Sequence, residues 1–586
     1  MPLPLPCLFG AISRHPGTGD VTPTPPGAEV LKSYGGRGVI FATPNLLPLS
    51  VQESGNRLRL LFGLSYGTMD EAAPMAAAHP QTGGWPSEDA LRALDGSFVL
   101  IDVEDDPNAL RASIAVDKYG TRRLYYRITD SHILFASHMA GIEALSNHLD
   151  TGIPEDILLH YYNFGFTPAD ASLLPGVRKL PLGSRLIIED GAYSVDRYFD
   201  IRHILRPATQ SRVDETELCR QIDTALGNGI TRRAASGEAV GISLSGGVDS
   251  GYIAQKLHQT GAVVRGYNIS YDSFYNEEDR VDFLAQSLGI EVTKIRLTAD
   301  EILDNFEQVN AASSEPAGFN GTIMRFAAAA AKRDGLEKLF DGDGADRLFL
   351  GMNRYLGYLR AVNLYDTMSR IGLAGPLRLL LGTMPKGELF KLFLLFSNWR
   401  AGIPPYPERK LGGIRRYDES YERKVFALGS KRYYEQFLER FAAFDFGLFF
   451  TYQSFHMCPE MFFHASSEMM TGAGVSAIPA FFNDDLVELA FNIPTEWKLR
   501  DKKTKYILRQ AAAQNMDRKY WMLPKIGLQS AFDFVLQSER GKAWYRTQEQ
   551  KVLDSREYAA LSRLAPGQDI EPQRLVPLIA WRAAQA

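Results

Sequence analysis

Leu244-Ser245-Gly246-Gly247-Val248-Asp249-Ser250 is the stretch that decides how this chain folds. It closes the run AVGISLS (239–245), continuously apolar as in a strand buried on both faces of a parallel sheet. It opens SGYIAQKLHQTG, which reads as a helix ended by glycine. Two adjacent glycines let backbone N–H groups turn inward at little steric cost. Together with the two serine hydroxyls and the start of a helix they form an anion cradle. Asp249 sets a carboxylate beside that cradle, where Mg²⁺ would bridge phosphate oxygens. A serine-capped tight turn would account for a lone pair of glycines, but not for SGGVDS at a strand-to-helix junction, the context that phosphate binding needs.

Working outward, residues 213–234 read as a helix. After the glycine loop come a strand VVRGYNISY (263–271), a helix (277–288), a strand EVTKIRL (291–297), a helix near 321–333 and a strand EKLFDGDG (337–344). Alternating strand and helix predicts a doubly wound α/β sheet. Its last strand runs into Asp341-Gly342-Asp343-Gly344-Ala345-Asp346. Ligands of open α/β sheets bind beyond the carboxyl ends of the strands, so the two glycine loops can meet over one nucleotide, with Asp346 as a second carboxylate for Mg²⁺. Beyond residue 352 the chain reads as mostly helical.

The first 200 residues have another texture. GVIFA (38–42), LRLLFGL (58–64), SFVLIDV (97–103), ASIAV (112–116), RLYYRI (123–128), HILFAS (132–137) and SRLIIE (184–189) are short β-type runs with turn signals between them. Asp190-Gly191 marks a hairpin turn. The expectation is an α/β protein of two domains: residues 1–205 as layered antiparallel sheets of α+β type, and residues 206–586 as a doubly wound parallel sheet with added helices. RPATQSR (206–212) reads as the linker.

Composition narrows the function classes. With 586 residues, 45% hydrophobic and a net charge of −5, the chain is an ordinary globular protein with no basic field, so nucleic acid is not the expected partner. Three cysteines, Cys7, Cys219 and Cys458, form no CxxC pair and suit a reducing cytoplasm. MPLPLPCLFGAISRHPG lacks the pattern of a signal peptide. The apolar stretch Leu377 to Phe396 is broken by Arg378, Pro385, Lys386, Glu388 and Lys391, so no membrane span is expected, and LFKLFLLF (389–396) reads as an interior or partner-facing helix.

At this point the motifs carry a family resemblance. SGGVDS resembles the pyrophosphate-binding loop of the PP-loop ATP pyrophosphatases. DGDGADRLFLG is similar to SGEGADELFGGY of the asparagine synthetase branch, and Ser314-Glu315-Pro316 falls in the right interval. IPAFFNDDLVELAFNIPTEWKLRDKKTKYILRQ (478–510) and Leu523-Pro524-Lys525-Ile526-Gly527 are similar to that family's C-terminal signature. In the first domain, Asp117 to Tyr126 (DKYGTRRLYY) looks like RDRFGIKPLYY, and Phe135-Ala136-Ser137 like FAS. The resemblance spans nearly the whole chain. It implies a class II glutamine-amidotransferase-like domain followed by a synthetase domain that uses ATP and Mg²⁺. There a substrate carboxylate becomes an acyl-adenylate, which a nitrogen nucleophile attacks. Carried over residue by residue, Leu244, Ser245, Gly246, Gly247, Asp249, Ser250, Gly342 and Asp343 belong to the nucleotide site. Asp249 and Asp346 hold Mg²⁺. Lys505 stabilises charge on the reacting groups, a task suited to a mobile ammonium.

The chain also departs from that pattern. Glutamine-hydrolysing members need a cysteine at position 2, freed by Met removal so that its α-amine is the base. Here position 2 is Pro2, Pro6 aligns with the nucleophile if Phe9-Gly10 matches the family's Phe-Gly, and Cys7 is internal. The reading is a remnant domain whose nucleophile is lost. Arg347 replaces the glutamate of GADE, and arginine cannot act as a base. It is carried as a catalytic-site residue that holds a carboxylate or phosphate. Candidate bases are Tyr452, His456, Glu460, His464 and Glu468. SSEMMTGAGVSAIP replaces a polar segment near 465–479, and 441–463 is unusually aromatic, which suits either core or a wide pocket.

Without glutaminase chemistry the amine comes from free ammonia or from the substrate. The resemblance is greatest to lasso-peptide cyclases, macrolactam synthetases that join a precursor peptide's N-terminal amine to an Asp or Glu side chain. It implies a leader-binding protein and a leader peptidase as partners, docking near 352–440. The alternatives are an ammonia-dependent amidoligase, a β-lactam synthetase and, from another class, a non-catalytic scaffold.

Overall fold

The computed structural model describes residues 5–15, 24–44, 46, 48–66, 85–107, 110–146, 149–168, 170–206, 214–271, 277–382, 424–425, 427, 435–439, 445–458, 463–514, 516–523, 530–566 and 570–585. The N-terminal strands are β1 (Leu8–Ser13), β2 (Glu29–Ser33), β3 (Gly38–Ala42), β4 (Leu49–Ser54), β5 (Arg57–Tyr66), β6 (Asp95–Asp105), β7 (Leu110–Val116), β8 (Tyr125–Ile128), β9 (His132–Ala136), β10 (Val177–Lys179), β11 (Ser184–Glu189) and β12 (Ala192–Arg197). They build two antiparallel sheets, ordered β10-β8-β9-β1-β3-β2 and β12-β11-β7-β6-β5-β4.

Strand alternation sorts the side chains. Leu8 and Ile12 of β1 join Leu60, Ile101, Ile114 and Leu186 in a core shared by the two sheets. Phe9 and Ala11 pack with the helices Met139–Leu145 and Glu155–Phe164 instead. The sequence reading missed β1, β2, β4, β10 and these helices. The Asp190-Gly191 hairpin is as expected: Glu189 pairs with Ala192, and φ is 50° at Asp190 and 76° at Gly191, the double positive φ of a type I′ turn.

The second half is built on a five-stranded parallel sheet of β13 (Ala239–Ser243), β14 (Val263–Tyr271), β15 (Glu291–Leu297), β16 (Lys338–Asp341) and β17 (Ser476–Pro479), in the order β15-β14-β13-β16-β17. The chain winds outward from β13 to β15, then returns to the other side of β13. That reversal makes a crevice at the carboxyl ends of β13 and β16.

Among the described residues the region beyond 352 is mostly helical, as expected, but it also holds β17, which pairs Ser476 to Pro479 with Lys338 to Asp341 and which the sequence reading missed. Four residues, one of them β-branched, carry too little periodicity to announce a strand. The linker 206–212 lies almost wholly outside the described residues, as do 389–396 and most of 383–440. Among the described residues no helix is long and apolar enough to cross a membrane.

The two halves share one interior. Leu61, Phe98, Tyr119 and Tyr198 of the first pack in a single cluster with Ile222, Tyr252, Phe482 and Leu486 of the second. Arg233 donates to both Asp95 oxygens, at 2.8 and 3.1 Å, and Tyr119 Oη donates to Asp484 at 2.6 Å. Glu315 of the second half receives Arg123 at 3.0 Å and Thr167 Oγ1 at 2.8 Å, and Lys179 lies 3.5 Å from it.

Candidate active site

The glycine loop follows β13 and the acidic loop follows β16, its neighbour in the sheet. Adjacent parallel strands thus deliver both loops to one crevice. Gly246 takes φ 70°, and a β-carbon there would press on Arg280 Cβ, so the turn needs glycine. Inside the loop, Ser250 Oγ accepts the Ser245 N–H at 3.1 Å, and Ser245 Oγ lies 3.2 Å from Ser250 Oγ. Asn268 Nδ2 donates to the Leu244 carbonyl at 2.8 Å, and Tyr520 Oη donates to the Gly246 carbonyl at 2.7 Å. Helix Val248–Gln259 starts at the loop and carries Asp249 in its first turn. Gly342 packs against Asp249: a β-carbon there would lie 3.0 Å from Asp249 Cβ.

The third element arrives from far along the chain. Lys505 sits at the turn before helix Tyr506–Ala512 with φ 53° and ψ 34°, a left-handed conformation. Non-glycine residues held there cost of order 1–3 kcal/mol, and such outliers gather at functional sites. Its Nζ lies 2.5 Å from Asp249 Oδ2 and 2.5 Å from Asp346 Oδ1, and the residue is 1% exposed. Burial disfavours the ammonium, yet the two carboxylates outweigh it and hold its pKa above the ordinary lysine value.

Gly351 makes this triad possible. A β-carbon on it would collide with Asp346 Oδ1 and Lys505 Cε. Gly351, Tyr520 and Asn268 were not singled out by sequence reasoning. The first ends DGDGADRLFLG and was readable as a required glycine; the other two carry no local signal. Arg509, next to the cluster, donates to the carbonyls of Thr504, Trp521 and Leu523.

The carboxylates differ. Burial pushes Asp343 up to about 6; Arg347 opposes the shift, while Asp346 and Asp249 add to it. Asp341 is raised too, by burial and then by Asp343. Arg347 is buried and electrostatically coupled to Asp343. Asp249 Oδ1 is shielded from solvent and has no hydrogen-bond partner among the described residues. A buried acceptor without a donor needs an explanation, and two converging carboxylates of which one keeps an open oxygen suit a hard divalent cation. The residues fit Mg²⁺.

The other candidates disperse. His456 Nδ1 lies 2.9 Å from the Tyr452 carbonyl, Tyr452 Oη donates to Gln436 at 3.3 Å, and His464 Nε2 lies 2.6 Å from the Gly120 carbonyl. Glu468 accepts the Ser314 N–H at 3.2 Å. Glu460 and 524–527 lie outside the described residues. Cys7 is fully buried, its backbone N–H donates to Thr43 Oγ1 at 2.9 Å, and burial pushes its thiol up to about 12.

Comparison with known proteins adds the decisive observation: the asparagine synthase family model matches residues 221–565. The chain belongs to the asparagine synthase family. The glutamine amidotransferase domain model matches residues 75–199. The chain is 23% identical over 467 residues to asparagine synthetase [glutamine-hydrolyzing] 1 of Bacillus subtilis, covering 78% of this chain and 71% of the relative. It is 28% identical over 276 residues to a putative asparagine synthetase of Methanocaldococcus jannaschii, covering 46% and 47%. Over 280 residues it is 22% identical to the amidase chry2 of Gibberella zeae, covering 45% and 40%. As an asparagine synthase family member it is an ATP-dependent carbon–nitrogen ligase.

Proposed function

We propose that this ligase activates a side-chain carboxylate of a peptide as an acyl-adenylate and closes it onto the same peptide's N-terminal amine, forming a macrolactam of the lasso-peptide type. The observation that carries the reading is Cys7. Its backbone nitrogen is a peptide amide that donates a hydrogen bond to Thr43 Oγ1, and its thiol is buried, so it offers neither the free α-amine nor the thiolate of an N-terminal nucleophile. We infer that residues 1–205 are a glutamine-amidotransferase-like domain without glutaminase chemistry, and that residues 206–586 form the synthetase. The amine is then free ammonia or the substrate's own, and in this reading it comes with the substrate.

In this reading Leu244 to Ser250, Gly342 and Asp343 hold the ATP phosphates, and Asp249 and Asp346 hold Mg²⁺, which when bound supplies neutralisation of phosphate charge. A carboxylate oxygen attacks the α-phosphorus and pyrophosphate leaves; the amine then attacks the acyl carbon, AMP leaves and one proton is released. Lys505, already between the two aspartates, follows charge as it develops. Arg347 replaces an acid with a permanent cation, suited to orienting a carboxylate or phosphate. Tethering amine and acyl group supplies effective molarity of order 10⁵ M or more in good cases.

A leader-binding protein and a leader peptidase complete the proposal. Their docking is placed near 352–440, where helix Arg354–Arg370 and the turn after it leave Leu364, Ile371 and Leu373 exposed.

The test is Mg²⁺-dependent ATP–pyrophosphate exchange with peptides bearing an N-terminal Gly and an Asp or Glu about eight residues on, against aspartate plus ammonium, followed by mass spectrometry. Peptide-dependent exchange with a product lighter by one water supports the cyclase. Exchange with aspartate alone makes the chain an ammonia-dependent amidoligase, and exchange with a small β-amino acid a β-lactam synthetase.

A further inference from the structure

A cavity of about 450 Å³ opens between residues 161–167 of the first half, the loop 315–321, helix His464–Gly472, and the segments 530–533 and 571–577. Helix His464–Gly472 feeds parallel strand β17, so its first turn lies toward the carboxyl edge of the sheet. The ring of Phe463, one residue earlier, lies 6.2 Å from Phe482, and a β-carbon on Gly344 of the acidic loop would lie 3.0 Å from Phe482. Beyond the loop 315–321, Met324 receives Ser243 Oγ at 3.7 Å, just before the glycine loop.

The charges of this cavity do not balance. Arg574 is paired with Glu571 at 2.6 Å, and Glu315 is shared by Arg123 and by Lys179 behind the wall. Glu468 and Asp533 also line it, and among the described residues neither has an ion-pair partner. One oxygen of Glu468 accepts the Ser314 N–H. The other, Oε1, is shielded from solvent and has no hydrogen-bond partner among the described residues. Glu468 also stands in the wall of a smaller cavity of about 40 Å³ beside Pro6. A shielded carboxylate oxygen without a donor is a poor arrangement by itself. Tyr161, Phe164, Phe166, Phe319 and Phe532 supply aromatic surface around it, and aromatic faces attract cations.

We propose that this cavity binds a cationic amine flanked by apolar surface, with the Glu468 carboxylate as its counter-charge, and that Glu468 positions the amine-bearing end of the substrate. The cation's role in amide formation rests on the proposed function; its binding does not.

The test uses the full chain without nucleotide and two probes of one shape: 2-phenylethylamine, a cation, and 3-phenylpropionate, an anion. Binding is followed by ligand-observed NMR and calorimetry. The amine should bind at least tenfold tighter than the anion. Glu468→Gln should weaken the amine by tenfold or more and leave the anion unchanged or tighter. Ala465→Phe, which fills the cavity and keeps the carboxylate, should abolish binding of the amine. Equal affinity for the two probes, or amine binding indifferent to Glu468→Gln in a variant that melts like the parent, overturns the proposal. Failure of peptide-dependent exchange would overturn the cyclase reading and leave this result standing.

Discussion

Tyr520 donates its hydroxyl to the carbonyl of Gly246 across 274 positions of sequence. The tyrosine ring is stacked on Phe283, centroids 4.9 Å apart, and meets Trp521 edge-on. The glycine loop is therefore held from outside as well as by its own serines. Tyr520→Phe should remove one neutral hydrogen bond, worth about 1 kcal/mol, and weaken ATP binding roughly fivefold. Calorimetric titration with ATP checks this; unchanged affinity would mean that stacking alone sets the loop.

Gly351→Ala tests the crowding around Lys505. The added methyl has no room beside Asp346 and Lys505 Cε, so the lysine must leave its place between the carboxylates. Pyrophosphate exchange should fall about 100- to 1000-fold, the usual consequence of losing one preorganised charge contact. Circular dichroism should show an intact fold. Full activity would show that the ammonium position is not needed.

Asp343 predicts a pH dependence. Burial, opposed by Arg347 and reinforced by Asp346 and Asp249, raises its folded pKa to about 6 from 3.8. The native state therefore holds this proton more tightly than the unfolded chain. The stability it confers is complete below about pH 4 and is lost as pH rises through 6. Asp343→Asn should remove that loss. Its stability relative to the parent should grow by about 1–3 kcal/mol between pH 4 and pH 6 and level off above. Urea unfolding at several pH values measures it, and parallel curves would refute it.

Lys498 predicts the opposite slope at higher pH. Burial lowers its pKa to about 7, offset in part by Asp445, and its Nζ donates to Thr451 Oγ1 at 3.0 Å. Between about pH 7 and 10.5 the unfolded chain binds a proton that the native state does not, so stability rises with pH across that window. Lys498→Met should abolish the rise and stabilise the protein at pH 7 by about 1–3 kcal/mol. Thermal melts at pH 7 and pH 9.5 check both.

The glycine loop, the acidic loop and the sheet that presents them were legible in sequence because each is local. A buried strand, a pair of glycines and a helix start follow one another within 21 residues, Ala239 to Gln259. Strands β14 and β15 could be read from their β-type runs VVRGYNISY and EVTKIRL between predicted helices. β17 was not legible: Ser476-Ala477-Ile478-Pro479 acquires its identity only by pairing with β16. The roles of Tyr520 and Asn268 depend on where the fold delivers them. Lys505 could be picked from its motif, but its left-handed backbone and its two aspartate partners follow from packing, not from TKYILR.

The single interior that joins Phe98 and Tyr198 to Ile222 and Leu486 has a consequence for inheritance. A gene that dropped the first 200 codons would strip the synthetase of part of its own core, together with the partners of Arg233 and Glu315. Natural selection acting on the ligase alone would therefore preserve the first half, as a keel is kept for the sake of the hull.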